Sequence, residues 1–263
     1  MSTQLIYSFF AVLSVSIISL VGIFFLSLSR SLLDRLIFFL VSVSVGVLLG
    51  DVFVHILPEA LIGDSSGMAI SVSIFLGVLV FFVLEKFFRW HHAHSVDKDH
   101  CDDCKHSEND STNITSNSEI GKMIIFGDGI HNLIDGVVIT AAFFINIPLG
   151  IATTLAVLFH EIPQEISDFA ILLHSGYSRA KALLFNFSSA LVSLFGVVIV
   201  FFAKDVDGFL ALANAFTAGV FIYIAASDLV PELHKTTEVR KSLVQFLGII
   251  VGFLIMVAFV ALE

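Results

Sequence analysis

The sequence predicts an all-α membrane protein with eight transmembrane helices, and two observations support this prediction. The 263-residue chain is 57% hydrophobic, only 14% charged, and has a mean hydropathy of +0.98, whereas soluble domains are roughly half apolar and about one quarter charged. Polar breaks divide its apolar residues into blocks that reach the roughly 20 residues a helix needs to cross a bilayer. The eight predicted spans are 4–29, 34–61, 67–90, 121–145, 149–175, 180–203, 207–233 and 241–262.

The distribution of Lys and Arg predicts the orientation of these spans. All but one of the 13 basic residues lie in or beside the odd-numbered connections, and Lys204 is the exception. Because cytoplasmic loops carry the excess of Lys and Arg, the odd-numbered connections should face the cytoplasm. Both termini then lie outside, and we expect a multi-pass protein of the plasma membrane. The net charge of −10 offers no basic surface for nucleic acid.

A single transmembrane domain is expected to fill residues 1–263, with one long polar loop at 91–120. The only two cysteines lie in this loop, so no disulfide framework is expected. The metal-type residues of the loop are His91, His92, His94, His100, Cys101, Cys104 and His106. A C-x-x-C pair with dispersed histidines suits loose metal capture by a disordered cytoplasmic segment. An inert polar linker is the alternative.

The fourth and fifth predicted spans each carry a stripe of polar residues at helical spacing. The first stripe consists of Asp128, His131, Asn132 and Asp135. The second consists of His160, Glu161, Gln164, Glu165 and Asp168. Spacings of three and four residues place each stripe on one helical face. Ionisable groups at membrane depth are costly and mark ion pathways, and imidazole with carboxylate suits Zn²⁺, Fe²⁺ or Mn²⁺. The alternative is that these side chains only join the helices through mutual hydrogen bonds. That role explains a single such residue, but it requires far fewer residues than the two stripes contain.

Pro163 interrupts the second stripe. Because proline lacks an N–H and clashes with the carbonyl four residues earlier, here that of Phe159, the helix should bend and loosen at this point. A freed carbonyl at membrane depth is tolerated only against protein or a wet cavity. In the sixth span, the polar residues Asn186, Ser188 and Ser189 could add oxygens behind the metal ligands, but helix packing is their expected use.

The motifs H-N-x-x-D-G at 131–136 and H-E-I-P-Q-E at 160–165 resemble those of the ZIP (Zrt-, Irt-like protein) family of divalent-metal transporters. The resemblance implies a binuclear metal centre halfway across the membrane and transport into the cytoplasm. Its implied ligands are His131, Asn132, Asp135, His160, Glu161 and Gln164, and we add Glu165 from the same stripe. Many family members have His or Glu where this chain has Gln164.

The expected cargo is a divalent transition metal, zinc first, with Fe²⁺, Mn²⁺ and Cd²⁺ as ions that the same ligands serve. The metal is a substrate, and no resident cofactor is expected. The expected partners are this ion and the lipid bilayer, and a homodimer is left open.

Related sequences end the second and seventh predicted spans. The first runs from Asp51 through His55 to Pro58-Glu59, and the second from Asp228 to Pro231-Glu232. Their positions predict inverted repeats, in a 3+2+3 arrangement around the central helix pair. As a hypothesis, His55 and Glu59 receive metal at the outer face, and Asp228, with Glu232 and His234, releases it inside. The simpler interpretation is that each Pro-Glu pair ends its helix at the interface.

An intramembrane zinc metallohydrolase is the main alternative function. His160-Glu161 begins like the H-E-x-x-H zinc motif, in which two His ligands flank a general base. Gln164 stands at the position of the second His, and Pro163 interrupts the helix that should hold the pair. We therefore predict a transporter and no enzyme. A cation exporter is the other rival, since His131 and Asp135 have the spacing of export carriers, but eight spans and the H-E-I-P-Q-E motif do not fit it. A metal receptor stays open, and a flux assay separates it from a carrier.

Overall fold

A computed structural model describes residues 3–21, 30–62, 66–96 and 111–260, and these residues form helices and short connections with no β-strand. The long helices are α1 (Thr3–Ile18), α2 (Arg30–Asp51), α3 (Gly67–Val96), α4 (Ser111–Ile145), α5 (Ile147–His174), α6 (Arg179–Ala190), α7 (Ser193–Ala203), α8 (Phe209–Tyr223) and α9 (Val239–Val260). Two of them continue through π-helical turns. The turn Val52–Ile56 extends α2 into Leu57–Ile62, and the turn Ile224–Leu229 extends α8 into Val230–Leu233.

Seven helical stretches in the described part of the chain are long and apolar enough to cross a bilayer. They are Thr3–Val21, Arg35–Leu61, Gly67–Lys86, Ile124–Ile145, Arg179–Ala203, Phe209–Leu233 and Val239–Val260. The predicted fold class, an all-α membrane protein, is confirmed. The one predicted span without a counterpart among these seven is the fifth, at 149–175, which corresponds to α5; this helix has 28 residues but carries the polar stripe that begins at His160. The count of eight therefore stays a prediction.

The ends of the predicted polar loop at 91–120 are helical. α3 continues to Val96, and α4 begins at Ser111. His100, Cys101, Cys104 and His106 lie outside the described residues, so metal capture by this loop stays a prediction.

The connection between α4 and α5 makes them antiparallel neighbours. Asn146 alone separates the two helices, and its side chain accepts a hydrogen bond of 2.7 Å from the backbone N–H of Leu149. Pro148 lies in the first turn of α5, where its missing N–H costs nothing. At the other end of α5, Gly176 has a φ of 88° that glycine adopts without strain, and the chain turns there into α6.

α4 lies in the middle of the bundle and contacts α1, α5, α6, α7 and α8. In its membrane-crossing window 61% of the residues are buried, against 22% for the window in α9. Around this centre, α2 packs along α9 and α3 packs along α8. The polar stripes of α4 and α5 therefore face protein, while the outer helices present apolar side chains to lipid.

Glycine permits a direct backbone contact between α4 and α7. A Cβ on Gly136 would overlap the carbonyl of Ser193, and a Cβ on Gly196 would overlap the backbone of Gly136. Small residues allow helices in membranes to approach this closely. Because Gly136 directly follows Asp135, the contact also fixes the depth of that carboxylate in the bundle.

We expect Gly136→Ala to lower the free energy of unfolding by about 1–3 kcal/mol, the usual cost of an overpacked core. The added methyl must push α7 away from α4. Thermal unfolding of the purified protein in detergent measures the effect. Gly67→Ala is the matched control, since no atom lies within 4 Å of a Cβ built there. Equal melting temperatures for the two variants would contradict the prediction.

Candidate metal centre

The polar stripes of α4 and α5 meet in the interior of the bundle. The residues with metal-binding side chains that they bring together are Asp128, His131, Asp135, His160, Glu161 and Glu165. All of these except His131 are buried almost completely. The side chain of His131 keeps 14% of its surface exposed. The sequence-predicted ligands of both helices therefore share one site.

Four of these residues form a first cluster. Nε2 of His131 lies 3.4 Å from Nε2 of His160 and 3.3 Å from Oε1 of Glu161. Oδ2 of Asp135 lies 3.5 Å from Nε2 of His160. One ligand atom from each residue lies within 4.8 Å of all the others. Two imidazoles and two carboxylates at this spacing can fill the tetrahedral shell that zinc prefers.

His160 is held with one ring nitrogen directed at this cluster. Its Nδ1 lies 3.0 Å from the carbonyl oxygen of Ala156, one turn earlier in α5. Because a carbonyl only accepts, Nδ1 carries the proton and donates, which leaves the Nε2 lone pair free for a metal. The His131 ring packs edge-on against Phe81, and the His160 ring packs against Phe221. These aromatic walls restrict rotation of both imidazoles.

Three carboxylates form a second cluster beside the first. Asp128, Glu161 and Glu165 offer oxygens within 4.8 Å of one another, so Glu161 belongs to both clusters. α6 orients the other two acids. The hydroxyl of Ser189 donates a hydrogen bond of 2.5 Å to Oδ2 of Asp128, and Nδ2 of Asn186 donates to Oε2 of Glu165. These contacts favour the alternative role of Asn186 and Ser189, support of the acidic residues, over helix packing alone.

Several oxygens of the centre have no hydrogen-bond partner in the described structure although they are fully buried. They are both carboxylate oxygens of Asp135, Oε1 of Glu161 and Oδ1 of Asn132. A buried acceptor without a donor is costly, and more so when it is charged. A divalent cation in the first cluster would provide a partner for the oxygens of Asp135 and Glu161. The donor set thus fits a transition-metal ion.

Asn132 and Gln164, the two predicted amide ligands, have different surroundings. Nδ2 of Asn132 donates to the backbone oxygen of Asp128 at 3.1 Å and to its Oδ1 at 2.9 Å. Asn132 thereby steadies Asp128 while its own Oδ1 stays unpartnered. Gln164 is half-buried and lines a cavity next to the first cluster. Asn132 is therefore placed to orient Asp128, and Gln164 contributes to the wall of the cavity.

The cavity has a volume of about 730 Å³. Its wall extends from His131 and His160 to Asp228, Glu232 and Lys235, which follow α8. Asp228 lies in the π-helical turn, and Glu232 forms an exposed ion pair of 2.5 Å with Lys235. Of the predicted inner residues, Asp228 and Glu232 therefore belong to the cavity wall and not to either cluster, whereas His234 is exposed and does not line the cavity.

The predicted outer residues, His55 and Glu59, lie beyond the C-terminal end of α2, whereas the cavity lies near its N-terminal half. The cavity touches the first half of α2, at Ile37 and Val41, whereas His55 lies in the π-helical turn that follows α2. His55 is buried, with Nδ1 3.2 Å from Oδ1 of Asp51, and neither ring nitrogen makes a hydrogen bond. Glu59 is exposed on the short helix that follows.

Asp128 was already part of the predicted polar stripe of α4, through its spacing to His131 and Asn132. Two other residues of the centre, Asn186 and Ser189, were expected first of all to serve helix packing. Asn186 and Ser189 are three residues apart on α6, a spacing that predicts a shared face but not which helix that face touches.

Comparison with known proteins points to one family. The family model described as ZIP zinc transporter matches residues 2–259. The zinc transporter YKE4 of Saccharomyces cerevisiae is 33% identical over 238 residues, which are 82% of this chain and 69% of that protein. Zinc transporter ZIP13 of Pongo abelii is 32% identical over 235 residues, 84% of this chain and 66% of the relative. Human zinc transporter ZIP10 is 36% identical over 185 residues, 66% of this chain but only 22% of ZIP10.

These relatives are named as transporters, so the metallohydrolase alternative is not favoured. The family model matches nearly the whole sequence, and the described residues form a helical membrane protein with a buried His/Asp/Glu cluster. The chain belongs to the ZIP zinc transporter family.

Proposed function

We propose that this chain carries zinc across its membrane into the cytoplasm, through the centre between α4 and α5. The observation that carries the proposal is the first cluster, whose four ligand atoms lie within 4.8 Å of one another in a buried site. Its imidazoles and carboxylates suit Zn²⁺ and also serve Fe²⁺, Mn²⁺ and Cd²⁺. The relatives YKE4 and ZIP13 are named as zinc transporters, which supports zinc as the cargo.

The cavity supports the inward direction. Lys235 lies in its wall, Lys86 follows Glu85 of the wall, and Arg35 lies between the wall residues Leu33 and Ile37. Because basic residues flank the cytoplasmic ends of membrane helices, this end of the bundle faces the cytoplasm. The described conformation is then inward-facing, and an ion at the first cluster exchanges its ligands for water in the cavity.

The second cluster supports a binuclear centre. Glu161 belongs to both clusters and is the group that can bridge two ions. Asp128 and Glu165 complete the second position with oxygen ligands alone. Oxygen ligands suit harder cations than imidazole does, so the two positions differ in the ion that each prefers.

The architecture that we propose is eight spans in a 3+2+3 arrangement of inverted repeats. π-helical turns occur at the ends of α2 and α8, which are the second and seventh spans. α2 packs along α9, and α3 packs along α8. A two-fold exchange of spans 1–3 with spans 6–8 converts one of these pairs into the other, as inverted repeats require.

Metal enters from the outer side at His55 and Glu59 in this proposal. His55 is buried without a hydrogen bond from either ring nitrogen, which leaves a lone pair for an incoming ion. Asp228 is its counterpart at the inner face. Both termini lie outside a plasma membrane in this orientation, and a homodimer stays a prediction.

Uptake of ⁶⁵Zn²⁺ into proteoliposomes tests the proposed function. We expect saturable uptake by the wild type and none by the His131→Ala/His160→Ala double variant, because both imidazoles of the first cluster are lost. Ser188→Ala is the control, since its exposed hydroxyl bonds the Leu184 carbonyl of its own helix at 2.6 Å. Zinc binding without flux in the wild type would indicate a receptor, and uptake by the double variant would place the pathway elsewhere.

Removal of the α6 contacts should affect the second cluster first. We expect Ser189→Ala to weaken binding of a second zinc by about tenfold, the lower range for groups that orient a ligand. Equilibrium dialysis over a range of zinc concentrations separates the two binding steps. Ser188→Ala, one residue away on α6, should leave both steps unchanged. Weakening of the first step alone would contradict the assignment of Asp128 to a second ion.

Loss of the outer residues should act on capture rather than on turnover. For His55→Ala/Glu59→Gln we expect a several-fold higher apparent KM for zinc uptake and a smaller change in Vmax. The reason is that both residues lie beyond the end of α2, whereas the cavity that reaches the first cluster touches the first half of α2. Initial rates in proteoliposomes give both constants, and unchanged kinetics would remove the entrance role.

A further inference from the structure

We propose that Ser44 is a positioning residue for the metal centre, which holds the backbone of α5 where Pro163 has removed a helical hydrogen bond. The proposal rests on the proposed function in one respect, because it treats His160 and Glu161 as zinc ligands. Ser44 itself touches no ion in this proposal and acts through the backbone of Phe159.

The first step of the argument is the hydrogen bond that proline removes. In an α-helix, each carbonyl accepts from the N–H four residues later. For Phe159 that residue is Pro163, which has no N–H. The hydroxyl of Ser44 on α2 lies 2.6 Å from this carbonyl oxygen and donates to it. A neighbouring helix thus supplies the donor that α5 lacks.

The second step concerns how firmly this contact is held. Ser44 has 0% of its surface exposed, so water does not compete with its hydroxyl. The same hydroxyl lies 2.8 Å from the Leu40 carbonyl of its own helix. A serine hydroxyl has one proton, and the shorter distance is the one to Phe159. The preference for the neighbouring helix indicates that the contact joins α2 to α5.

The third step is the location of the contact. Phe159 immediately precedes His160 and Glu161, so a shift of its carbonyl moves both ligands. A second contact fastens the same two helices nearly two turns away, where Thr153 donates a hydrogen bond of 3.1 Å to Asp51. Between these two points α5 can neither slide nor rotate freely. The position of the α5 ligands opposite α4 therefore depends on α2.

Equilibrium dialysis of zinc against the purified full chain tests this role. We expect Ser44→Ala to weaken zinc binding about tenfold, as for the loss of one buried hydrogen bond. Ser42→Ala is the matched control, because Ser42 is equally buried on α2 and bonds the Phe38 carbonyl of its own helix at 2.9 Å. Equal affinity of Ser44→Ala and wild type would overturn the proposal.

A double-mutant cycle separates positioning from general packing. Pro163→Ala restores an N–H for the Phe159 carbonyl, so Ser44→Ala should cost less than about twofold in that background. A tenfold loss in both backgrounds would overturn the proposal. If Ser44→Ala fails to fold both in the wild-type background and in the Pro163→Ala background, the proposal is also overturned. A wild type that binds no zinc would instead refute the proposed function, which is a distinct result.

Discussion

The burial of negative charge between α4 and α5 is the interaction on which the other features of the structure depend. Asp135, Glu161 and Glu165 have almost no exposed surface. Removal of an ionised carboxylate from water costs several kcal/mol even after the protein relaxes. Two imidazoles and the hydrogen bonds from α6 offset part of this cost. Both oxygens of Asp135 remain without a donor, and a divalent cation is the partner that completes the balance.

This constraint explains why the helices around the centre approach so closely. Gly136 and Gly196 bring the backbone of α7 against α4, and α6 precedes α7 by a short turn. The contact therefore also holds Asn186 and Ser189 near the carboxylates that they orient. A larger residue at position 136 would separate the helices and remove donors from charged acceptors. Close packing and charge compensation are thus one requirement in this bundle.

The sequence predicted the parts of this arrangement that lie within a single helix. Spacings of three and four residues identified the stripes of α4 and α5, because helical period alone decides which side chains share a face. The stripe that contains His160 also explains why α5 is the predicted span that length and hydropathy do not identify. The sequence did not predict that the ends of the loop at 91–120 are helical, because their polar composition is typical of a loop.

Contacts between helices could not be predicted in the same way. Asn186 and Ser189 have a helical spacing, but no pattern within α6 states that they touch Asp128 and Glu165. Pro163 predicted a freed carbonyl at Phe159, whereas the identity of its donor depends on the packing of α2. The π-helical turns that carry His55 and Asp228 also lack a local signal. Tertiary packing decided each of these features.

The two histidines of the first cluster differ in their exposure to the cavity. His160 is 1% exposed and is anchored through Nδ1 to the carbonyl of Ala156. His131 is 14% exposed, and both rings lie at the cavity wall. Water from the cavity therefore has better access to the imidazole of α4 than to that of α5. In the proposed transport into the cytoplasm, an ion would lose His131 first and stay attached to α5 through His160 and Glu161. The more firmly held imidazole would then keep the ion until water of the cavity had hydrated it.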